Sequence, residues 1–212
     1  VTVTGHDELL QAVLANPDDD SPRLLYADWQ DEFGDAARAE FIRVQIERYR
    51  RYGDRQPLDD REFVGLIARE KALFGKHFRS WLKPLQARGE PFQSRDSHAI
   101  YRRGFIHEVW MRAKTFITRG HKLFARVPFR GLKMIHATSD DFCQLITMPL
   151  IARLHTLDLN SIVWNARMAD EFLGSRFLRS ISRIELVAAD WVSELKPAEW
   201  PSTTFVILQP FL

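Results

Sequence analysis

One cysteine, Cys143, stands in the whole chain of 212 residues, which excludes an internal disulfide and fits a reducing compartment. No apolar run approaches the roughly 18 residues that a membrane-spanning helix needs. The opening stretch VTVTGHDELL lacks the apolar core of a signal peptide, so the expected location is the cytoplasm. A phosphate-cradling glycine loop, a His/Cys set at metal-ligand spacing and a nucleophile elbow are all missing. The seven histidines are scattered. Those at 98, 107, 136 and 155 could converge across adjacent strands, but their phases differ. The chain is therefore expected to be no enzyme and to use no cofactor, metal or small-molecule substrate.

What is present reads as a soluble globular protein, 45% apolar and 27% charged, long enough for one sizeable core or two small ones. The net charge of +2 hides a segregation. Residues 1–35 hold nine acids against Arg23 alone, residues 36–135 hold 23 Lys/Arg against ten acids, and residues 136–212 hold six against nine. Either the acidic segment neutralises the basic one in space, or the basic block attracts an acidic partner or nucleic acid.

The stretch NPDDDSPRLLYADWQDEFGD (16–35) carries seven carboxylates, a density that could hold a metal or run acid–base chemistry. Helix signals account for most of them. Thr4-Gly5-His6-Asp7 has the form of a capping box, so a first helix is expected from about Gly5, with Leu9, Leu10, Val13 and Leu14 as its apolar stripe and Asn16-Pro17 as its stop. Ser21 followed by Pro22 starts a second helix, with Asp18, Asp19 and Asp20 on its dipole, Leu24, Leu25, Trp29 and Phe33 on its buried face, and Gly34 as its C-terminal cap. A third runs from Ala36 to Tyr49, burying Phe41, Ile42, Val44 or Ile46, and Tyr49. Asp31, Glu32 and Asp35 fall near a helix end, where solvation explains them. Asp28 sits at the edge of the buried arc and needs a partner, which Arg38 or Arg43 could supply. The competing reading is a metal or catalytic role, with Glu40 as the second carboxylate of a hydrolase.

Residues 8–47, ELLQAVLANPDDDSPRLLYADWQDEFGDAARAEFIRVQIE, resemble the bacterial repeat-companion domain. The shared residues are Asn16 to Asp20, Pro22-Arg23-Leu24, Tyr26-Ala27-Asp28-Trp29, Gly34-Asp35 and Arg38-Ala39-Glu40-Phe41-Ile42-Arg43. Gln30-Asp31-Glu32-Phe33 departs from the pattern, which more often shows Leu-Glu-Glu-Arg or Leu-Glu-Glu-His. The resemblance implies no catalysis, and it implies that a repeat follows. After Pro57, Asp59 or Asp60 caps a helix bearing Phe63, Leu66, Ile67, Leu73 and Phe74 that ends at Gly75, with a short continuation through His77, Phe78, Trp81 and Leu82. Residues 88–97 read as a turn-rich connection.

From Arg103 onward an apolar spacing L-x-x-L-x-L recurs: Ile106/Val109/Met111, Phe129/Leu132/Met134, Leu154/Leu157/Leu159 and Ile181/Ile184/Leu186, with a weaker copy at Phe205 and Ile207. The steps between central residues are 23, 25, 27 and 21, inside the window of about 20–29 for leucine-rich repeats, which residues 98–212 resemble. Helix-like stretches lie between, at Thr115–Arg126, Asp140–Arg153 and Ala166–Ser180; the last interval, with two prolines, is irregular. Ile162 stands where the usual ladder asparagine would fall in the third repeat. The expected fold is α/β: a small helical repeat-companion domain (1–90) capping a short leucine-rich-repeat-like solenoid (91–212) with a parallel sheet of about five strands.

If Val109, Leu132, Leu157, Ile184 and Phe205 point inward, alternation sends their neighbours to the concave face. The candidate partner-binding residues there are Trp110, Arg112, Lys133, Asp158, Asn160 and Glu185, with Trp110 as the anchor. The plainer reading of the same charges is cross-strand pairing, Lys133 with Asp158 for instance. The expected function is a non-enzymatic protein-binding or adaptor module. The alternative is nucleic-acid binding through the strip of Arg48, Arg50, Arg51 and Arg55 interleaved with Tyr49 and Tyr52.

Overall fold

A computed structural model describes residues 3–83, 98–187 and 189–208. These fall into two compact units. The first holds 3–83, 101–106 and 124–128; the second holds 98–100, 107–123 and 129 onward. The connection at 88–97, and with it the expected boundary after residue 90, lies outside the described residues.

The first unit is built on helices α1 (Val3–Ala15), α2 (Ser21–Phe33), α3 (Ala36–Tyr52) and α4 (Arg61–Trp81). Helix α1 begins at Val3, ahead of the expected start near Gly5. It stops at Ala15, before the Asn16-Pro17 step. Asp20, not Ser21, holds the N-cap position of α2 and makes no side-chain cap bond. Asp19 instead accepts from the Ser21 N–H at 2.8 Å and its hydroxyl at 2.9 Å. Gly34 ends α2 as expected, but not through a left-handed turn, since its φ is −133°. A Cβ there would fall 2.6 Å from Gln30 Oε1, which accepts the Asp35 N–H at 3.0 Å. Asp35 is no idle solvated acid: it caps α3, accepting from the Ala37 and Arg38 N–H groups at 3.0 and 3.3 Å. Asp60 caps α4 in the same way. Gly75 does not end that helix, which runs a further six residues; a mid-helix glycine costs only about 1 kcal/mol, and tertiary packing overrides it.

The buried arc of α2 is not the expected one. Leu25 and Phe33 are more than half exposed, while Arg23, Tyr26, Ala27 and Gln30 are buried. Polar residues take inner positions because each finds a fixed partner. Arg23 donates to the Pro17 carbonyl at 2.7 Å and the Arg103 carbonyl at 3.1 Å. Around them Val13, Tyr26, Ala27, Ala39, Ile42, Ile46 and Phe105 form the core.

The strands are β1 (His98–Arg102), β2 (Phe105–Arg112), β3 (Gly131–His136), β4 (Thr156–Asp158), β5 (Arg183–Val187) and β6 (Thr204–Leu208), and they lie in the sheet in chain order. From β2 to β6 neighbours are parallel. Val109, Leu132, Leu157, Ile184 and Phe205 stand opposite one another in a single row. The first four are at most 1% exposed. The recurring apolar spacing is therefore one sheet register. Strand β1 was not foreseen. It joins β2 through Arg103 (φ 49°) and Gly104 (φ 82°), the two positive φ values that a tight hairpin turn requires, so the six-stranded sheet is mixed and β2 is not its edge.

Parallel neighbours need crossovers. These contain α5 (Ala113–Phe124), α6 (Ser139–Ile146) with a 3-10 turn Pro149–Arg153, and α7 (Ala166–Gly174) with a 3-10 turn Leu178–Ser180. The second and third are thus each broken where one helix was expected. Pro149 has no N–H for the α ladder, and Ser175 ends α7 in an extended conformation. The fourth connection holds only 3-10 turns, Asp190–Glu194 and Pro197–Glu199. Cys143 is buried on α6. No described helix is long and apolar enough to cross a membrane.

Candidate functional site

The site builds up from the alternation of β2 to β6. Residues out of phase with the buried row form a second row in the same register: Trp110 opposite Lys133, Lys133 opposite Asp158, and Asp158 opposite Glu185. Each is half-buried. Lys133 reaches in both directions. Its Nζ lies 2.7 Å from Asp158 Oδ2 and 4.9 Å from the centre of the Trp110 ring. The Trp110 indole N–H donates to Glu108 Oε1 at 2.6 Å, and Arg183 Nε donates to Glu185 Oε1 at 2.8 Å. The cross-strand pairing of Lys133 with Asp158 is thus present, and the pair is no loose surface contact, with the Asp158 side chain only 13% exposed.

Two expected members sit differently. Asn160 follows β4 rather than lying in it; its N–H donates to Asp158 Oδ1 at 2.9 Å, and its own Oδ1 is enclosed without a hydrogen-bond partner among the described residues. Arg112 is exposed, because an irregularity between Met111 and Arg112 shifts the pairing so that Arg112 stands opposite His136. Glu108, which strand alternation puts on the same face as Trp110 and Arg112, holds the Trp110 indole and lies over Gly131, where a Cβ would come 2.9 Å from its Cγ. Burial pushes its carboxyl above the ordinary range, the Trp110 N–H opposes that, and the nearby Asp158 adds to it. Gly131 stands opposite Glu108 at the start of β3.

In the helical unit both carboxylates of the hydrolase reading pair with arginines. Arg43 bridges Asp28 at 2.8 Å and Asp31 at 2.9 Å, so Asp28 has one of its two foreseen partners, although it is exposed, not half-buried. Glu40 pairs with Arg69. The strip offered for nucleic acid is likewise engaged. Arg48 pairs with Glu70 and Arg50 with Asp20, at 2.8 and 2.9 Å. Arg51 pairs with Glu47 and Glu62, and Arg55 donates to the carbonyls of Tyr52 and Arg51. Arg103, which the sequence gave no reason to single out, closes on the acid-rich stretch, donating to the carbonyls of Pro17 and Asp18 and to Asp20. Within this unit Asp18, Asp20, Asp28 and Asp31 of the acidic segment pair with Arg43, Arg50 and Arg103 of the basic block. Among the described residues no His/Cys/Asp/Glu group could hold a metal ion.

No family model, curated protein or solved structure matches the chain.

Proposed function

We propose that the sheet unit is a short, irregular leucine-rich-repeat-like solenoid, that the helical unit is a repeat-companion module, and that the chain is a cytoplasmic, non-enzymatic binding or adaptor protein. Its partner is a protein, taken on the face carrying Trp110, Lys133, Asp158 and Glu185, with Arg112 and Asn160 at the margin. The observation that carries this reading is the register: four large or charged side chains stand in one row on four adjacent strands, with Lys133 bonded to Asp158 and lying against Trp110, and Glu185 held by Arg183. At about 4.8 Å between strands the row spans roughly 14 Å, the scale of a small contact centre. Its side chains are already ordered by mutual contacts, so a partner meets them with little further loss of rotamer freedom. Tryptophan is also among the residue types enriched at energetically dominant contacts.

The test compares partners recovered by the wild type, by a Trp110→Ala, Lys133→Glu double variant and by Arg112→Glu, whose exposed position leaves the row intact. Partners are expected to drop out with the double variant while its circular dichroism stays that of the wild type. Recovery of the same partners by all three proteins discards the surface.

A further inference from the structure

The helical unit encloses a cavity of about 290 Å3. Its walls include Tyr26, Trp81, Tyr101 and Phe105 as well as two guanidinium side chains, Arg38 and Arg126. The guanidinium carbon of Arg38 lies 5.1, 5.5 and 5.2 Å from the ring centres of Trp81, Tyr101 and Phe105, and 5.7 Å from that of Phe41. Its Nη1 is shut off from bulk water and has no hydrogen-bond partner among the described residues. A cation in such a place normally has an anion beside it, because aromatic faces offset only part of the lost hydration.

The one lining carboxylate, Asp35, acts on Arg38 through its charge, but its oxygens are taken by other donors. Asp35 accepts from the backbone N–H groups of Ala37 and Arg38 through one oxygen and from the Trp81 indole N–H at 2.9 Å through the other. The two tyrosine hydroxyls of the wall are also committed. The Tyr101 hydroxyl donates to the Trp81 carbonyl at 3.0 Å, and the Tyr26 hydroxyl is bonded to His6 Nε2 at 3.0 Å. The cavity therefore offers aromatic walls and two cationic side chains, Arg38 and Arg126, against one carboxylate. An excess of about one positive charge among apolar walls suits a monoanion with an apolar body better than a phosphate, whose further charge and oxygens those walls do not meet. The volume sits at the lower end of ligand pockets, so the molecule is small.

We propose that this cavity binds a small organic acid whose single carboxylate meets Arg38 and whose aryl or alkyl body packs among Tyr26, Trp81, Tyr101 and Phe105. The site is separate from the sheet face and does not depend on the binding role assigned to that face.

The probe is 3-phenylpropionate, titrated into the full chain by calorimetry beside its uncharged primary amide and inorganic phosphate. The acid is expected to saturate the wild type and to bind at least about tenfold tighter than the amide. Arg38→Met, which keeps the side-chain bulk and removes the charge, is expected to abolish that preference. Arg43→Met, which breaks only the exposed pairs with Asp28 and Asp31, is expected to leave it unchanged. Absence of saturable binding by the wild type up to about 10 mM overturns the proposal. So does equal affinity for acid and amide, or tighter binding of phosphate. Should Arg38→Met fail to fold, the acid–amide comparison on the wild type still decides.

Discussion

The helical unit is tied together by polar side chains that reach backbone atoms far along the chain, whereas the sheet unit is tied by one apolar residue repeated at each strand. In the first, Arg23 and Arg103 both donate to the Pro17 carbonyl, and Gln45, 1% exposed, accepts the Gly104 N–H at 2.7 Å. In the second, Val109, Leu132, Leu157 and Ile184 line up across four strands, and the adjacent helices contribute Phe116, Phe142 and Phe172, each unexposed. The contrast shows that polarity alone does not tell which face of a helix is buried. A long polar side chain with a fixed carbonyl or N–H to meet fills an inner position as well as leucine does. The two units should accordingly fail in different ways.

The largest effect is expected where the helical unit admits a turn. Gly104 adopts φ 82°, and a Cβ there would lie 2.7 Å from both Cα and Cβ of Ile42, backbone included. Gly104→Ala combines a disfavoured backbone with an overlap that no side-chain rotation relieves. Loss of at least about 4 kcal/mol is expected, read as a lower urea midpoint. An unchanged midpoint would mean that Ile42 and the turn are not packed as described.

Leu157→Ala strikes the middle of the apolar row, where the side chain is fully enclosed. It should cost about 2–5 kcal/mol, and hydrogen exchange should quicken first in β3, β4 and β5. Gln45→Leu tests the other unit with a change of little volume. It strands the Gly104 N–H and takes one partner from Glu70, which keeps Arg48. The expected loss is about 1–3 kcal/mol although the new residue is more apolar, and exchange should quicken in α3 and the turn at 103–104. If Gln45→Leu stabilised the protein, the polar account of the helical unit would be wrong.

The same contrast explains what was legible in the sequence. The strand row could be read because a strand has one phase, so a repeated apolar residue fixes both register and facing; even the Lys133–Asp158 pair followed from equal offsets after Leu132 and Leu157. The shifted pairing of Arg112 could not be read, because a one-residue irregularity carries no mark in the pattern. On α2 the arc through Arg23, Tyr26, Ala27 and Gln30 was missed because nothing local says which carbonyl an arginine will reach; the partner Arg103 lies eighty positions away. Strand β1 was missed because it precedes the first repeat copy. For the cavity, the aromatic residues were visible one by one, but their convergence on Arg38 depends on tertiary contacts between positions as distant as 38 and 105.

The smallest expected effect is one of pH, and it has opposite signs in the two units. Burial alone would raise the Asp35 carboxyl, but the Trp81 indole and two backbone N–H groups overcome it and hold the group below the ordinary carboxylate value. Its contribution is therefore complete above that ordinary value and is lost as pH falls through the lower, folded one. Glu108 is raised, chiefly by burial, so the folded state binds its proton more tightly than the unfolded chain does. Stability then falls as pH rises from the ordinary glutamate value through the raised one. Protection factors, with the intrinsic pH dependence of amide exchange divided out, should rise in α3 as pH rises across this acidic range, while those in β2 and β3 fall. Asp35→Asn should remove the first trend and lose about 1 kcal/mol of capping at neutral pH. Glu108→Gln, which can still accept from the Trp110 indole, should remove the second without that loss. Matching trends in the two units would show that one of these carboxyls is not held as described.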